Sequence, residues 1–182
     1  MDTVSIMAAR ALDGPPASPP DAISGEDFRE AMRRFATGVT VVTTLVDGAP
    51  HGFTANAFAS VSARPPTVLI CVNRDASAHP LISRSSIFCV NILALEQHEL
   101  ARRFADSALR ALRFKDLATR AAATGAPVID GALAYLDCRL TEEHTAGTHT
   151  VFLGTVVASG TRAGKPLGYF DAEYRDFGLY AG

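Results

Sequence analysis

Segments rich in β-branched residues follow one another along this chain with few helices between them, and that ordering restricts the fold more than any other feature. "GVTVVTTLV" (38–46) runs into the turn signal "DGAP" and then into "HGFTANAFASVS" (51–62), which together read as a hairpin or a pair of neighbouring strands. "PTVLICVN" (66–73), "SIFCVNIL" (86–93), "ALAYLDCRLTEE" (132–143) and "HTVFLGTVVASG" (149–160) supply further strands. Six or so strands with clustered helices, rather than strict strand–helix alternation, predict an antiparallel barrel with peripheral helices over a doubly wound sheet. No GxGxxG follows a strand, so the usual dinucleotide-binding crossover is absent.

Three helices are expected. In "SGEDFREAMRRFATG" (24–38) Ser24 caps the helix with Asp27 at N3, and Phe28, Met32 and Phe35 share one face before Gly38 ends it: an amphipathic lid or buttress. "HPLISRS" (79–85) opens with Pro80 in its first turn, and "ALEQHELARRFA" (94–105) carries Leu95, Leu100 and Phe104 on its apolar face. Residues 1 to 23 hold four prolines among Ala, Ser and Gly and read as a flexible N-terminal arm, leaving 24–182 as one domain, since a length of 182 residues argues against a second independent core.

Composition removes several functions. A formal net charge of -2, with no local Lys or Arg run, provides no field for a nucleic-acid backbone. Cys71, Cys89 and Cys138 lie far apart in apolar segments without a CxxC pair, so they read as reduced core thiols rather than zinc or redox ligands. His144 and His149 are five residues apart, on opposite faces of a continuous strand, which argues against a metal site. There is no GxSxG and no catalytic-Cys signature. Neither a signal-peptide block nor an apolar run of membrane-spanning length occurs, so the expected compartment is the cytoplasm, with no membrane partner.

Three stretches carry chemistry. "TANAFASVS" (54–62) combines small side chains that admit a flat ligand with hydroxyl and amide groups for a hydrogen-bonding edge, as a flavin ring requires; it reads equally as a bulged edge strand with its polar groups in water. "CVNRDASAHP" (71–80) ends a strand and begins a helix, making either a phosphate cradle with Ser77 and Arg74 or a simple cap. His149, where a Gly-containing turn feeds a strand, is placed to act as a hydrogen-bond donor or proton carrier, or to sit at the surface.

Taken in order, "FREAMRRFATGVTVVTT", "HGFTANAFASVSARPPTVLICVN", "FCVNILALEQHELARRFA", "GAPVIDGALAYLDCRL", "AGTHTVFLGTV" and "PLGYFDAEYRDFG" resemble successive blocks of the short-chain flavin reductases, the small components of two-component flavin-dependent monooxygenases, over roughly residues 26 to 178. The resemblance implies a mainly β, antiparallel split β-barrel that forms a homodimer, takes a hydride from NADH or NADPH onto FMN or FAD, and releases reduced flavin to a partner monooxygenase. It implies that Thr54, Ala55 and Asn56 line the isoalloxazine, that Ser60 and Ser62 serve the ribityl chain or phosphate, and that Thr37 and Val39 approach the flavin. Asn73, Ala76 and Ser77 then form the phosphate end, Phe104 borders the groove, and Tyr174 and Arg175 close over the cofactor. His149 matches a histidine near the nicotinamide and is the implied catalytic residue, but Thr148 stands where the family usually has an acidic residue, so an orienting carboxylate is missing. The alternatives are a flavin-retaining oxidase of the same fold, in the manner of pyridoxamine-phosphate oxidases, and a non-catalytic flavin-binding module.

Overall fold

A computed structural model describes residues 22–178, so the expected arm, except for its last two residues, lies outside the described part of the chain. The first helix, α1 (Gly25–Met32), begins as expected: Ser24 Oγ accepts from the Asp27 amide at 3.0 Å and donates to the Asp27 carboxylate at 2.7 Å. None of its residues is buried, however. Phe28, Met32 and Phe35 are 55%, 47% and 63% exposed, so the amphipathic pattern correctly marks an apolar face that nothing among the described residues covers.

The body is β2 (Thr40–Val46), β3 (Ala49–Ala55), β4 (Phe58–Ala63), β5 (Pro66–Asn73), β6 (Ile87–Ile92), β9 (Ala134–Ala146) and β10 (His149–Thr161), all in one antiparallel sheet of order β3-β2-β6-β9-β10-β5-β4. A small second sheet joins β1 (Thr37–Gly38) to β11 (Leu167–Phe170) and β12 (Glu173–Asp176), and β7 (Thr119–Ala121) pairs with β8 (Pro127–Ile129). The two edge strands of the large sheet, β3 and β4, are consecutive in sequence and joined only by Asn56 and Ala57. A link that short reaches at most about 11 Å, whereas the edges of a flat sheet with neighbours ~4.8 Å apart would be far beyond it, so the sheet curls until its edges approach. "HGFTANAFASVS" is therefore two strands on opposite edges, not one.

Strand β2 is buried on both faces, which explains its β-branched run. Val42 joins the cluster inside the curl with Val68, Ile70, Val72, Ile82, Phe88, Val90, Cys138 and Phe152; Val39 and Val41 pack outward against Leu93, Leu100, Ala101 and Phe104. Its threonines survive burial because each hydroxyl donates to a carbonyl: Thr40 to Ala55, Thr43 to Pro127 and Thr44 to Ile87, at 2.7, 2.5 and 2.8 Å. Asn91 of β6, the asparagine of "VNIL", is fully buried; its amide donates to the Val41 carbonyl at 3.1 Å and its oxygen accepts from the Ile129 amide at 2.8 Å, tying β6 to β2 and β8.

Helix α2 (His79–Ser85) starts with Pro80 in its first turn, as expected. Residues 95–97 form a 3-10 turn leading into α3 (His98–Ala105), which buries Leu100, Ala101 and Phe104 against β2 and β3. The approach is close at Gly52, where a Cβ would stand 2.9 Å from both the Phe104 ring and the Val42 carbonyl.

Candidate functional site

Edge strand β3, α3 and the β11–β12 hairpin meet around a cleft of about 190 Å³ lined by Val39, Thr54, Asn56, Ala105, Tyr169 and Tyr174. Four of these residues, Val39, Thr54, Asn56 and Tyr174, are among those expected from sequence. A second hollow of about 230 Å³ lies beneath α1, lined by Arg29, Met32, Arg33, Phe35, Asn56, Tyr169, Phe170, Asp171 and Ala172. Asn56 and Tyr169 line both, so the two are compartments of one groove that changes from neutral and aromatic to apolar with charged borders.

Each wall has a local cause. Thr54 is held by its own hydroxyl, which donates to the Ala101 carbonyl at 2.6 Å and fixes the edge strand to α3. Asn56 sits at the link between edge strands, exposed, and its side-chain amide makes no hydrogen bond among the described residues. Tyr169 and Tyr174 face each other across the hairpin, 5.7 Å between ring centroids and inclined at 60°, and the Arg102 guanidinium lies 5.9 Å from the Tyr174 ring. Burial raises the Tyr174 phenol pKa first, the neighbouring Tyr169 adds to it, and Arg102 opposes both, so the phenol stays a protonated donor near neutral pH.

Thr37 pairs with Tyr169 across the β1–β11 ladder, and its Oγ1 is buried without a hydrogen-bond partner. An orphaned hydroxyl is costly in a finished fold and is expected where a ligand supplies the missing partner. With the Asn56 amide, two phenols and apolar Val39 and Ala105, the donor set fits a flat heteroaromatic with one polar edge better than it fits a metal. Among the described residues no group of three His, Cys, Asp or Glu side chains could hold a metal ion.

The other expected residues fall into separate groups. Ala55 ends β3 beside the cleft, partly buried, and contacts the inner cluster. Phe104 is fully buried under the cleft floor, packed edge-on to Phe114 at 5.1 Å, so it supports the groove and does not line it. Ser60 and Ser62 lie on exposed β4, separated by a bulge, and Ser62 Oγ accepts from the Arg64 amide at 3.0 Å. Asn73 closes its own turn, its side-chain oxygen accepting from the Asp75 amide at 2.9 Å, while Ala76 and Ser77 precede α2. Arg175 is exposed on β12 and pairs with Glu173 at 2.5 Å.

His149 begins β10, directly across from Asn73 of β5, and is exposed. Its Nδ1 lies 3.0 Å from the Thr148 hydroxyl, so threonine makes the contact that a carboxylate would otherwise make. The β4–β5–β10 order puts it two strands from β4 at the same end of the sheet as Asn56, outside both compartments of this chain. Sequence reasoning missed Tyr169 and Ala105. The signal for Tyr169 is present in "YFDAEY", where two tyrosines stand symmetrically about the turn residues Asp171 and Ala172, as cross-strand partners in a hairpin do.

Residues 32–178 match the family described as "Flavin reductase like domain". "FMN reductase (NADH) RutF 2" of Methylorubrum extorquens (strain PA1) is 40% identical over 160 residues, covering 87% of this chain and 93% of the relative. "Flavin-dependent monooxygenase, reductase subunit HsaB" of Rhodococcus jostii (strain RHA1) is 37% identical over 155 residues, 85% of this chain and 78% of that one. Among solved structures, the NADH:FAD oxidoreductase SgcE6 of Streptomyces globisporus C-1027, in complex with NAD and FAD fragments, superposes with a TM-score of 0.81 at 35% identity over 89% of this chain and 99% of its own. The flavin reductase PheA2 in its native state gives a TM-score of 0.78 at 38% identity over 86% and 100%. The mainly β, antiparallel chain with its aromatic groove belongs to the flavin reductase like family, and the class it defines is that of oxidoreductases acting on flavin.

Proposed function

We propose that this protein reduces free flavin with NADH and releases it to a partner flavin-dependent monooxygenase; in support, its relatives are named as an FMN reductase (NADH), a reductase subunit of a flavin-dependent monooxygenase and an NADH:FAD oxidoreductase. The observation that carries the reading to this chain is the neutral, aromatic cleft of Val39, Thr54, Asn56, Ala105, Tyr169 and Tyr174, with the buried, unpartnered Thr37 hydroxyl on the strand that pairs with Tyr169. Bound there, a flavin would supply the ring nitrogen that accepts a hydride from the nicotinamide. The protein's part is orientation: Val39 and Ala105 admit the ring, Asn56 hydrogen-bonds its edge, Thr37 approaches it from the strand beside Tyr169, and Tyr169 with Tyr174 shields it from water.

In this reading Ser60 and Ser62 serve the ribityl chain or phosphate, Asn73, Ala76 and Ser77 the phosphate end, and Arg175 closes the hairpin side. His149 donates to the nicotinamide. The curled sheet is a split barrel forming one domain from residue 24 onward, and the protein is a cytoplasmic homodimer. Val61 and Val157, 51% and 42% exposed on β4 and β10, support an apolar contact between copies.

Turnover tests it: purified protein, NADH or NADPH, and excess riboflavin, FMN or FAD, followed by loss of the reduced-nicotinamide absorbance. Multiple turnovers are expected with NADH and FMN or FAD; none with any pair overturns the reading. Flavin that copurifies and never exchanges would favour the flavin-retaining oxidase instead. Sedimentation as an active monomer removes the dimer.

A further inference from the structure

The compartment beneath α1 differs in character from the one that suits a ring. Its floor is apolar, from Met32, Phe35 and Phe170, and two guanidinium groups, Arg29 and Arg33, stand at its border. It is built rather than incidental: the Asp171 amide donates to the Arg33 carbonyl at 3.0 Å, fastening the tip of the β11–β12 hairpin to the end of α1. Charges around it are unevenly matched. Glu30 reaches Arg33 at 3.5 Å and Arg34 at 2.9 Å, and Asp171 reaches Arg34 at 3.7 Å, while Arg29 has no carboxylate within 4.0 Å among the described residues. A site of this kind accepts a ligand that is flat and apolar at one point and anionic at another.

Resting on the reductase reading, we infer that this compartment takes the pyrophosphate and adenylate tail of the pyridine dinucleotide, with Arg29 and Arg33 at its phosphates, so that the nicotinamide reaches the ring cleft across Asn56 and Tyr169. Continuity of the two compartments through those two residues supports the pyridine nucleotide over an unrelated anion. The flavin's own phosphate has the separate turn at Asn73–Ser77 available to it. Specificity for the donor then resides partly on α1, far in sequence from His149, and Arg29, with its charge unmatched, contributes more than Arg33.

The test compares the full-length wild type with Arg29→Ala, Arg33→Ala, the double variant and Arg29→Lys. Steady-state oxidation of NADH is measured beside that of 1-benzyl-1,4-dihydronicotinamide, which has the reactive ring and no phosphate. Loss of one charge-assisted contact is expected to raise the KM for NADH about tenfold in Arg29→Ala and further in the double variant. Lysine should restore part of it, while the benzyl donor and flavin affinity stay unchanged. These side chains are exposed, so the variants are expected to fold, and a thermal melt confirms it. Unchanged KM for NADH, equal losses with both donors, or weaker binding of FMN and FAD but not riboflavin would each overturn the inference. So would a change in sedimentation in the double variant, which would assign the α1 face to a second copy. A wild type that oxidises no donor would instead remove the reductase reading itself.

Discussion

The Thr54 hydroxyl donates to the Ala101 carbonyl at 2.6 Å, joining the outermost strand of the sheet to the middle of α3. Through that contact, Asn56 at the end of β3 and Ala105 at the end of α3 are presented to the same cleft. Thr54→Val, nearly isosteric, is expected to cost about 1 kcal/mol of stability, the usual net value of one hydrogen bond, and to weaken flavin binding. Thr54→Ser should recover both. Urea denaturation and a flavin fluorescence titration on the same samples measure the two effects; unchanged flavin affinity in Thr54→Val would detach the contact from the site.

Replacing Asn91 by Leu strands the buried Ile129 amide and removes the link to Val41. Each buried group left without a partner costs about 1–3 kcal/mol, so the denaturation midpoint should fall well below that of Thr54→Val. A loss no larger than that of Thr54→Val would mean that the Asn91 contacts are replaced by water.

Burial raises the Cys138 thiol pKa to about 12, with Asp137 adding to it; Cys89 is shifted in the same direction, by burial first, then Asp137 and Cys138, against smaller opposing effects of the Leu136 backbone and Arg120. Thiolate is the reactive form, so at pH 8 the folded protein should resist alkylation at both positions, and denaturation should release all three thiols. Cys71, less buried and shifted upward by burial alone, is expected to react first. The linkage follows: above the ordinary thiol value of 9.0 the unfolded chain loses protons that the folded chain keeps, so stability falls with rising pH from there toward 12. Rapid labelling of Cys89 or Cys138 in the native state would contradict this.

His149 bonds to Thr148 where a carboxylate would hold the imidazole more strongly. His149→Ala is expected to raise the KM for NADH several-fold while leaving flavin affinity intact. Thr148→Asp, which offers Nδ1 a carboxylate in place of the hydroxyl, should lower the KM for NADH. Steady-state kinetics with NADH on both variants checks this, and an unchanged kcat/KM for NADH in His149→Ala would exclude the assignment.

The large strands were legible because β2, β5, β6, β9 and β10 are long runs whose pattern survives in any context. Strands β7, β8, β11 and β12 have only three or four residues each and exist because partners pair with them, so no local period announces them. The break at Asn56 and Ala57 was hidden because Asn56 is followed by Ala57 and not by the Gly that would complete a turn signal. Amphipathy marked the apolar face of α1 correctly but carries no information about what covers it. At the site, Thr54 and Asn56 were found through residue type, whereas Tyr169 depends on a hairpin that only the folded chain reveals. Thr54 also shows the limit of type alone, because its hydroxyl proton is directed to Ala101.

Because β3 and β4 are both the ends of the sheet and neighbours in the chain, Asn56 and Ala57 act as the clasp of an unclosed ring of staves, and the groove opens beside that clasp. A ligand seated there leans on a two-residue link between the sheet's edges, whose backbone is held through the Phe58 amide on the Asn56 carbonyl and the Cys71 amide on the Ala57 carbonyl. Occupancy should therefore be felt as mechanical closure, with slower amide exchange in 52–60 than anywhere else. Each release of reduced flavin would let the clasp loosen again.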